Sequence, residues 1–307
     1  MARVSVNICC YNGEKYLAEA IKSVLDQTYT DFEVVVVNDG SNDTTEKVVL
    51  AFKDERIKYF YQANMGLSAT RNRALSLSNG EFVAILDQDD LWAPEKLELQ
   101  VRLMDSKPDV GVVYSAGYTV GGDGAILRGE RTSRYCRGKI TGSLLKGNYI
   151  SCPTVMFRAS ALKKVGGFRT DLKIAEEYDM YLRLARVCKF DFVDKPLARY
   201  RVHSSNTSKD RAKDYMEAIV CLVDFSAVEK DEALRVMALK YADIYRLRLA
   251  AVLIWSKRCV EVPALLENIR PGTFAEAAGF VLRLFSFLPF WLSRILLLPV
   301  KAAGIIQ

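Results

Sequence analysis

Three carboxylates stand in four consecutive positions at Asp87-Gln88-Asp89-Asp90, directly after the apolar run Phe82-Val83-Ala84-Ile85-Leu86. Close-set carboxylates repel one another, and a bound divalent cation relieves that repulsion. The apolar run has the character of a buried parallel strand. It would send the acids out together at its carboxyl end, the side on which open α/β sheets bind ligands. A plainer alternative is open to the same residues: an acidic turn in which Asp89 or Asp90 begins a helix leading into Pro94 and Leu97. Two other apolar runs end in polar residues, at Tyr11-Asn12-Gly13-Glu14 and at Asn38-Asp39-Gly40-Ser41. Turns use Asn, Asp and Gly for backbone reasons of their own. On one rim, however, they would set a ring able to stack on a base, Tyr11, beside a carboxylate able to accept from a base imide or a ribose, Asp39. No G-x-G-x-x-G follows the first apolar run and no G-x-x-x-x-G-K-[ST] occurs, which argues against a Rossmann dinucleotide site and a P-loop.

The elements that must position these residues alternate in the manner of βαβ units. Strands are expected over residues 4–10, 32–37, 57–61 and 82–86, with helices over 16–27, 44–52 and 68–77. Right-handed crossovers would bring the strand ends to one rim. Residues 112–115 and 154–158 have strand character, Gly121-Gly122-Asp123-Gly124 makes a turn on the expected acceptor side, and 176–188 is helical. After His203 the pattern changes to long helices, over 212–228 and 232–253.

A chain of 307 residues suits one large α/β domain with an appendage. The net charge of +6 is modest and no dense Lys/Arg run forms a phosphate-tracking stripe, so the expected anionic partner is a membrane surface and not a nucleic acid. Seven cysteines without a C-x-x-C pair or zinc-type spacing fit buried thiols in a reducing cytoplasm. Met1-Ala2-Arg3 passes straight into a strand pattern with no secretory signal, and the catalytic part is expected to work in the cytoplasm.

Four segments, taken in order, resemble glycosyltransferase family 2, the inverting nucleotide-sugar enzymes with a GT-A fold. They are Val4-Ser5-Val6-Asn7-Ile8-Cys9-Cys10-Tyr11-Asn12, Phe32-Glu33-Val34-Val35-Val36-Val37-Asn38-Asp39-Gly40-Ser41, Asn64-Met65-Gly66-Leu67-Ser68-Ala69-Thr70-Arg71-Asn72 and Leu86-Asp87-Gln88-Asp89-Asp90. The resemblance covers residues 3–208. It implies an α/β fold with a mixed, mainly parallel sheet flanked by helices, a GT-A catalytic domain at 1–208 and a helical region at 209–307. It also implies that Tyr11 and Asp39, with Asn12 and Glu14 of the same turn, hold the nucleotide-sugar, and that Arg71 assists at the nucleotide or phosphate. The acids would form the D-x-D element, one acid on ribose and a later one on Mn²⁺ or Mg²⁺. Asp87 and Asp89 are candidates on the donor side, and Asp89 and Asp90 for the metal.

The same resemblance points to a later acidic motif whose second residue is the catalytic base. The matching stretch is Ala175-Glu176-Glu177-Tyr178-Asp179-Met180-Tyr181-Leu182-Arg183-Leu184, and alignment on Tyr-x-x-Tyr-Leu-Arg-Leu places the base on Glu177, where the family has Asp. The extra methylene changes the reach by about a bond length, and positioning matters for rate. Glu176 and Glu177 would equally favour the positive end of a helix. Asp179, the reserve for the base, has an ordinary role as the i,i+4 partner of Arg183. A second departure is Cys9-Cys10, where relatives often carry Pro and a small residue, which leaves the donor base open. His203, the one histidine, lies in Tyr200-Arg201-Val202-His203. Similar enzymes bring this His to the metal or diphosphate, although a lone histidine is also an ordinary packed residue.

In the last stretch, Arg283 and Arg294 leave ten residues between them, about 15 Å of helix against a hydrocarbon core of about 30 Å. A span is excluded there, and an amphipathic segment at about 277–304 lying in the membrane plane is expected, with a buried capping helix as the alternative. From Arg246 onward eight Lys/Arg face three Asp/Glu, which favours an anionic lipid surface. The implied protein is a metal-dependent inverting transferase, peripheral on the inner face of the cell membrane. It would move a sugar from a nucleotide-diphospho-sugar to a glycan or polyprenyl-linked acceptor in bacterial surface polysaccharide synthesis. Its rivals are a sugar nucleotidyltransferase and an inactive sugar-nucleotide-binding module of a membrane assembly.

Overall fold

The computed structural model describes residues 2–129, 135–204, 206, 209–270, 278–280 and 282. The chain divides into two compact units, Met1–Leu144 with Asn148–Asn206, and Leu145–Gly147 with Thr207–Gln307.

The first unit is built on one mixed sheet. Its opening strands are β1 (Val4–Cys10), β2 (Phe32–Asp39), β3 (Ile57–Gln62) and β4 (Phe82–Asp87), separated by helices α1 (Leu17–Leu25), α2 (Thr45–Leu50) and α3 (Leu67–Leu77). All four strands are mutually parallel in the order β3-β2-β1-β4. Every residue of β2 is buried, because the sheet is covered on both faces. Val34 and Val36 join Val6, Ile8 and the apolar stripe of α1, Leu17, Ala20, Ile21 and Val24, while Val35 and Val37 on the opposite face pack with Ala74 and Leu77 of α3.

Beyond β4 the chain forms a short strand β5 (Leu91–Trp92), helix α4 (Lys96–Ser106), strands β6 (Val110–Gly121) and β7 (Ile126–Gly129), and helix α5 (Thr141–Leu144). Then come strand β8 (Met156–Arg158), helices α6 (Ala159–Val165) and α7 (Glu176–Ala185) and strand β9 (Lys189–Val202). The acidic-turn alternative holds in its first half, since the Asp90 N–H donates to the Asp87 carbonyl at 3.1 Å, and is corrected in its second, since neither Asp89 nor Asp90 begins a helix. Leu91 and Trp92 pair with Arg199 and Ala198 of β9, the Trp92 indole N–H donates to the Pro153 carbonyl at 2.7 Å, and helix starts only after Pro94. Strand β8 joins β4 and β6 antiparallel, and β9 runs parallel to β6, so most of the sheet's pairing is parallel. The β6–β9 register slips beside Pro196, which has no N–H to give a ladder.

The second unit is helical: α8 (Arg211–Val228), α9 (Glu232–Trp255) and α10 (Val262–Glu267). Asp210 and Asp231 cap α8 and α9 by accepting from backbone N–H groups of the first turn. Leu247, Ala250, Leu253 and Ile254 of α9 pack with Val262 and Leu266 of α10 and with Tyr215 and Ile219 of α8. Asp243, buried in α9, pairs with Arg246 and Arg270 at 2.8 Å each. Among the described residues no helix is long and apolar enough to cross a membrane. The amphipathic segment expected at about 277–304 lies almost wholly outside the described residues.

Candidate active site

Parallel pairing sets the ends of β1, β2 and β4 side by side, with Cys9 opposite Asp87 and Cys10 opposite Asn38. Tyr11, Asp39 and Asp87 therefore leave the sheet as neighbours on one rim. Gln88, in the middle of the acid run, ties two of these ends together. Its Oε1 accepts from the Tyr11 N–H at 2.9 Å and its Nε2 donates to the Tyr11 carbonyl at 3.1 Å. A Cβ on Gly13 would sit 2.3 Å from that Oε1, so the clamp requires glycine there. Tyr11 itself stays 45% exposed, open to a flat ligand.

Other expected donor residues are engaged in the loops. Asn12, at φ +50°, donates its N–H to Ser41 Oγ and accepts from the Asn42 N–H, both at 2.9 Å. Glu14 Oε2 accepts from the Thr44 N–H and hydroxyl. Asp39 is buried, and its carboxylate accepts from Gln62 Nε2 at 2.6 Å and from the N–H groups of Met65 and Gly66 at 2.9 Å. With Gly66 at φ +86°, this carboxylate shapes the turn that starts α3. Three of about four acceptor sites are used, which leaves room for one further N–H donor.

Helix α3 carries Arg71 to the centre of the site, 1% exposed. Its Nη1 donates to Glu176 Oε1 at 2.7 Å and pairs with Glu177 Oε1 at 2.8 Å; its Nη2 donates to Asp87 Oδ1 at 2.8 Å and to Cys152 Sγ at 3.5 Å. One guanidinium thus gathers the end of β4, the start of α7 and the turn before β8. Glu177 remains 19% exposed. Burial pushes its carboxyl up to about 7 against the pull of Arg71, and Glu176 and Asp87 add to the rise. Burial also holds the Cys152 thiol well above its usual value, so it stays protonated. Asp179 takes the ordinary role open to it, pairing with Arg183 at 2.6 Å.

Asp87, Cys152 and Glu177 each offer a ligand atom within 4.8 Å of one another, but all three already face Arg71, so this group is a cage around a guanidinium. Asp89 and His203 form a different pair, with His203 Nε2 and Asp89 Oδ2 sharing a hydrogen bond of 2.7 Å. Asp90 is fully buried; Oδ1 accepts from the Arg201 N–H at 2.8 Å and Oδ2 has no hydrogen-bond partner. Burial, with Asp87 and Asp89 adding to it, raises Asp90 well above the usual carboxylate range, and burial with Asp87 raises Asp89. Carboxylate oxygens and an imidazole, held under this repulsion with one orphaned oxygen beside them, suit a divalent cation.

Further residues complete the site. Arg201, 2% exposed, donates from Nε to the Asp89 carbonyl (2.8 Å), from Nη1 to the Gly122 carbonyl (3.1 Å) and from Nη2 to Glu19 (2.7 Å). Its guanidinium lies 4.4 Å from the Tyr16 ring centroid, and Tyr16 stacks on His203 at 5.2 Å. On the far side, buried Lys96 donates to Gln100 Oε1 at 2.7 Å, and Gln100 Nε2 donates to the Thr154 carbonyl, also at 2.7 Å, bracing the turn that delivers Cys152. A cavity of about 490 Å³ opens beside Asp89 and His203, lined also by residues Asn12 to Tyr16, Asn42, Asp43 and Gln88.

This sheet, with acids gathered on its carboxyl rim and a helical region following, is that of a GT-A glycosyltransferase. The fold matches S. aureus TarS 1–349 in complex with UDP-GlcNAc at a TM-score of 0.71, over 92% of this chain and 90% of that one with 19% identity. It also matches the mannosyltransferase PcManGT from Pyrobaculum calidifontis in complex with GDP-Man and Mn²⁺ at 0.63, over 94% and 88% with 19% identity. An uncharacterized glycosyltransferase of Rickettsia typhi is 33% identical over 224 residues, 69% of each chain. Chondroitin synthase of Escherichia coli is 30% identical over 208 residues, 67% of this chain and 30% of that protein. Residues 5–166 match the model of glycosyl transferase family 2, and the chain belongs to that family; its class of activity is glycosyl transfer.

Proposed function

We propose that the protein moves a sugar, with inversion, from a nucleotide-diphospho-sugar to a glycan or lipid-linked acceptor of a bacterial surface polysaccharide, at the inner face of the membrane. The observation that carries this is Glu177, a carboxylate pushed up to about 7 that reaches solvent beside Arg71 and Asp87, on the rim where Tyr11 and Asp39 emerge. A sugar hydroxyl is a poor nucleophile at neutral pH, and a carboxylate poised near the working pH is suited to take its proton. In the proposed reaction the acceptor oxygen bonds to the anomeric carbon as its proton passes to Glu177. The bond from that carbon to the phosphate oxygen breaks on the opposite face, and nucleoside diphosphate leaves. Tyr11 stacks on the base, Asp39 accepts its N–H, and Arg71 keeps Asp87 and Glu177 in register. A divalent cation, Mn²⁺ or Mg²⁺, held by Asp89 and His203 with Asp90 behind them, would supply charge neutralisation at the diphosphate. The polysaccharide role is supported by the likeness to chondroitin synthase and the metal by the Mn²⁺ in PcManGT.

The test is donor binding and slow donor hydrolysis across a panel of nucleotide sugars, with and without Mn²⁺. Release of nucleoside diphosphate is expected. Release of pyrophosphate would point to a nucleotidyltransferase, and binding of no donor under any metal condition would remove the proposal.

A further inference from the structure

The cavity beside Asp89 and His203 holds one lysine that the chemistry above leaves unused. Lys15 is exposed, lines the cavity and lies with its Nζ 4.8 Å from the centroid of the Tyr16 ring, the ring that stacks on His203. Among the described residues it has no carboxylate partner, although Glu14, Asp43 and Asp89 line the same space. Each of those acids is engaged elsewhere. Glu14 accepts from the Thr44 N–H and hydroxyl, Asp43 from the N–H groups of Thr45 and Glu14, and Asp89 shares its hydrogen bond with His203. Three carboxylates and one lysine leave the cavity net negative, so a divalent cation strengthens the binding of an anionic ligand there. Once a cation sits at Asp89 and His203, Lys15 is the one Lys or Arg among the described residues that line the same cavity. An ammonium on a four-carbon stem suits a tetrahedral phosphate as a point charge. Tyr16 limits its range, since the ring face favours the cation above it.

We propose that Lys15 binds the β-phosphate of the donor diphosphate in this cavity, anchoring the leaving group. It rests on the glycosyl-transfer function proposed above. Removing one charge-assisted hydrogen bond is worth about tenfold to a hundredfold in affinity.

The experiment measures calorimetric binding of UDP, GDP, UMP and GMP, with Mn²⁺ and with chelator, to the wild-type protein, Lys15→Met and Lys15→Arg. Lys15 is exposed, and circular dichroism of each variant checks that the fold is kept. With Mn²⁺, Lys15→Met should lose about tenfold or more in affinity for whichever diphosphate binds, keep its affinity for the matching monophosphate, and recover part of the loss as Lys15→Arg. An unchanged diphosphate affinity, or an equal loss for both nucleotides, would overturn the role of Lys15 while leaving glycosyl transfer standing. If none of the four nucleotides binds the wild-type protein with Mn²⁺, the same titration is run with CDP, dTDP and ADP and their monophosphates, and both proposals fall if no diphosphate binds.

Discussion

Replacing Glu177 by Gln tests the proposed proton transfer apart from every other contact at the site. The amide keeps the shape of the side chain and an oxygen that can accept from Arg71 Nη1, now 2.8 Å from Glu177 Oε1, so the cage around Arg71 should persist. What is lost is the basic oxygen, and a positioned general base contributes about 10²- to 10⁴-fold. Transfer by Glu177→Gln should therefore fall by about that factor with donor affinity unchanged. The wild-type pH profile follows from the same carboxyl. Burial raises it to about 7, and only its ionised form accepts a proton, so turnover rises with pH through that value. One unit below, about a tenth of the molecules are ionised, and the rate should be about tenfold under its plateau. The assay is nucleoside diphosphate release between pH 5.5 and 9, with donor binding measured at each pH. Turnover in Glu177→Gln within a few-fold of wild type, or a wild-type rate that falls as pH rises through 7, would refute the assignment of the base.

Asp89→Asn should weaken donor binding in Mn²⁺ and leave metal-free binding little changed, whereas Glu177→Gln spares both; equal losses in the two variants would remove their separate roles. Arg71→Met strands Asp87, Glu176 and Glu177 around a lost cation, and urea denaturation should show a loss of about 3–5 kcal/mol, the scale for breaking a buried ion pair. Gly13→Ala would press a methyl group onto Gln88 and release its two hydrogen bonds to Tyr11, lowering stability by about 1–3 kcal/mol and weakening nucleotide binding; Gln88→Ala should match it in the same denaturation and binding assays.

The parallel half of the sheet was legible because its strands are short apolar runs between turn residues. The expected strand at 4–10 matches β1, and those at 32–37 and 82–86 fall short by only the polar residues that end β2 and β4. Strand β9 was hidden because Lys189, Asp191, Asp194, Lys195 and Pro196 break any apolar run, and its stability comes from pairing with β6 over nearly its whole length. That strand carries Arg201, whose one available signal was its place two residues before His203. Gln88 and Lys96 gave none, since a Gln between acids and a Lys in a helix are ordinary surface residues until the fold buries or clamps them. Cys152 stood among seven cysteines with nothing in its spacing to mark it.

Arg201 also bears on the order in which the protein can assemble. Its partners Glu19, Asp89 and Asp90 lie 182, 112 and 111 positions earlier in the chain. Contacts so remote are made late, because closing long loops costs entropy before it is repaid. A ribosome-bound chain that has just completed the four parallel strands already holds Tyr11, Asp39 and Arg71, but its acid run lacks the backbone donor, the guanidinium and the imidazole that will hold it. On the proposed roles, the pocket for the base thus precedes the seat for the charge, and activity should emerge only in the last stage of folding, when β9 closes the sheet.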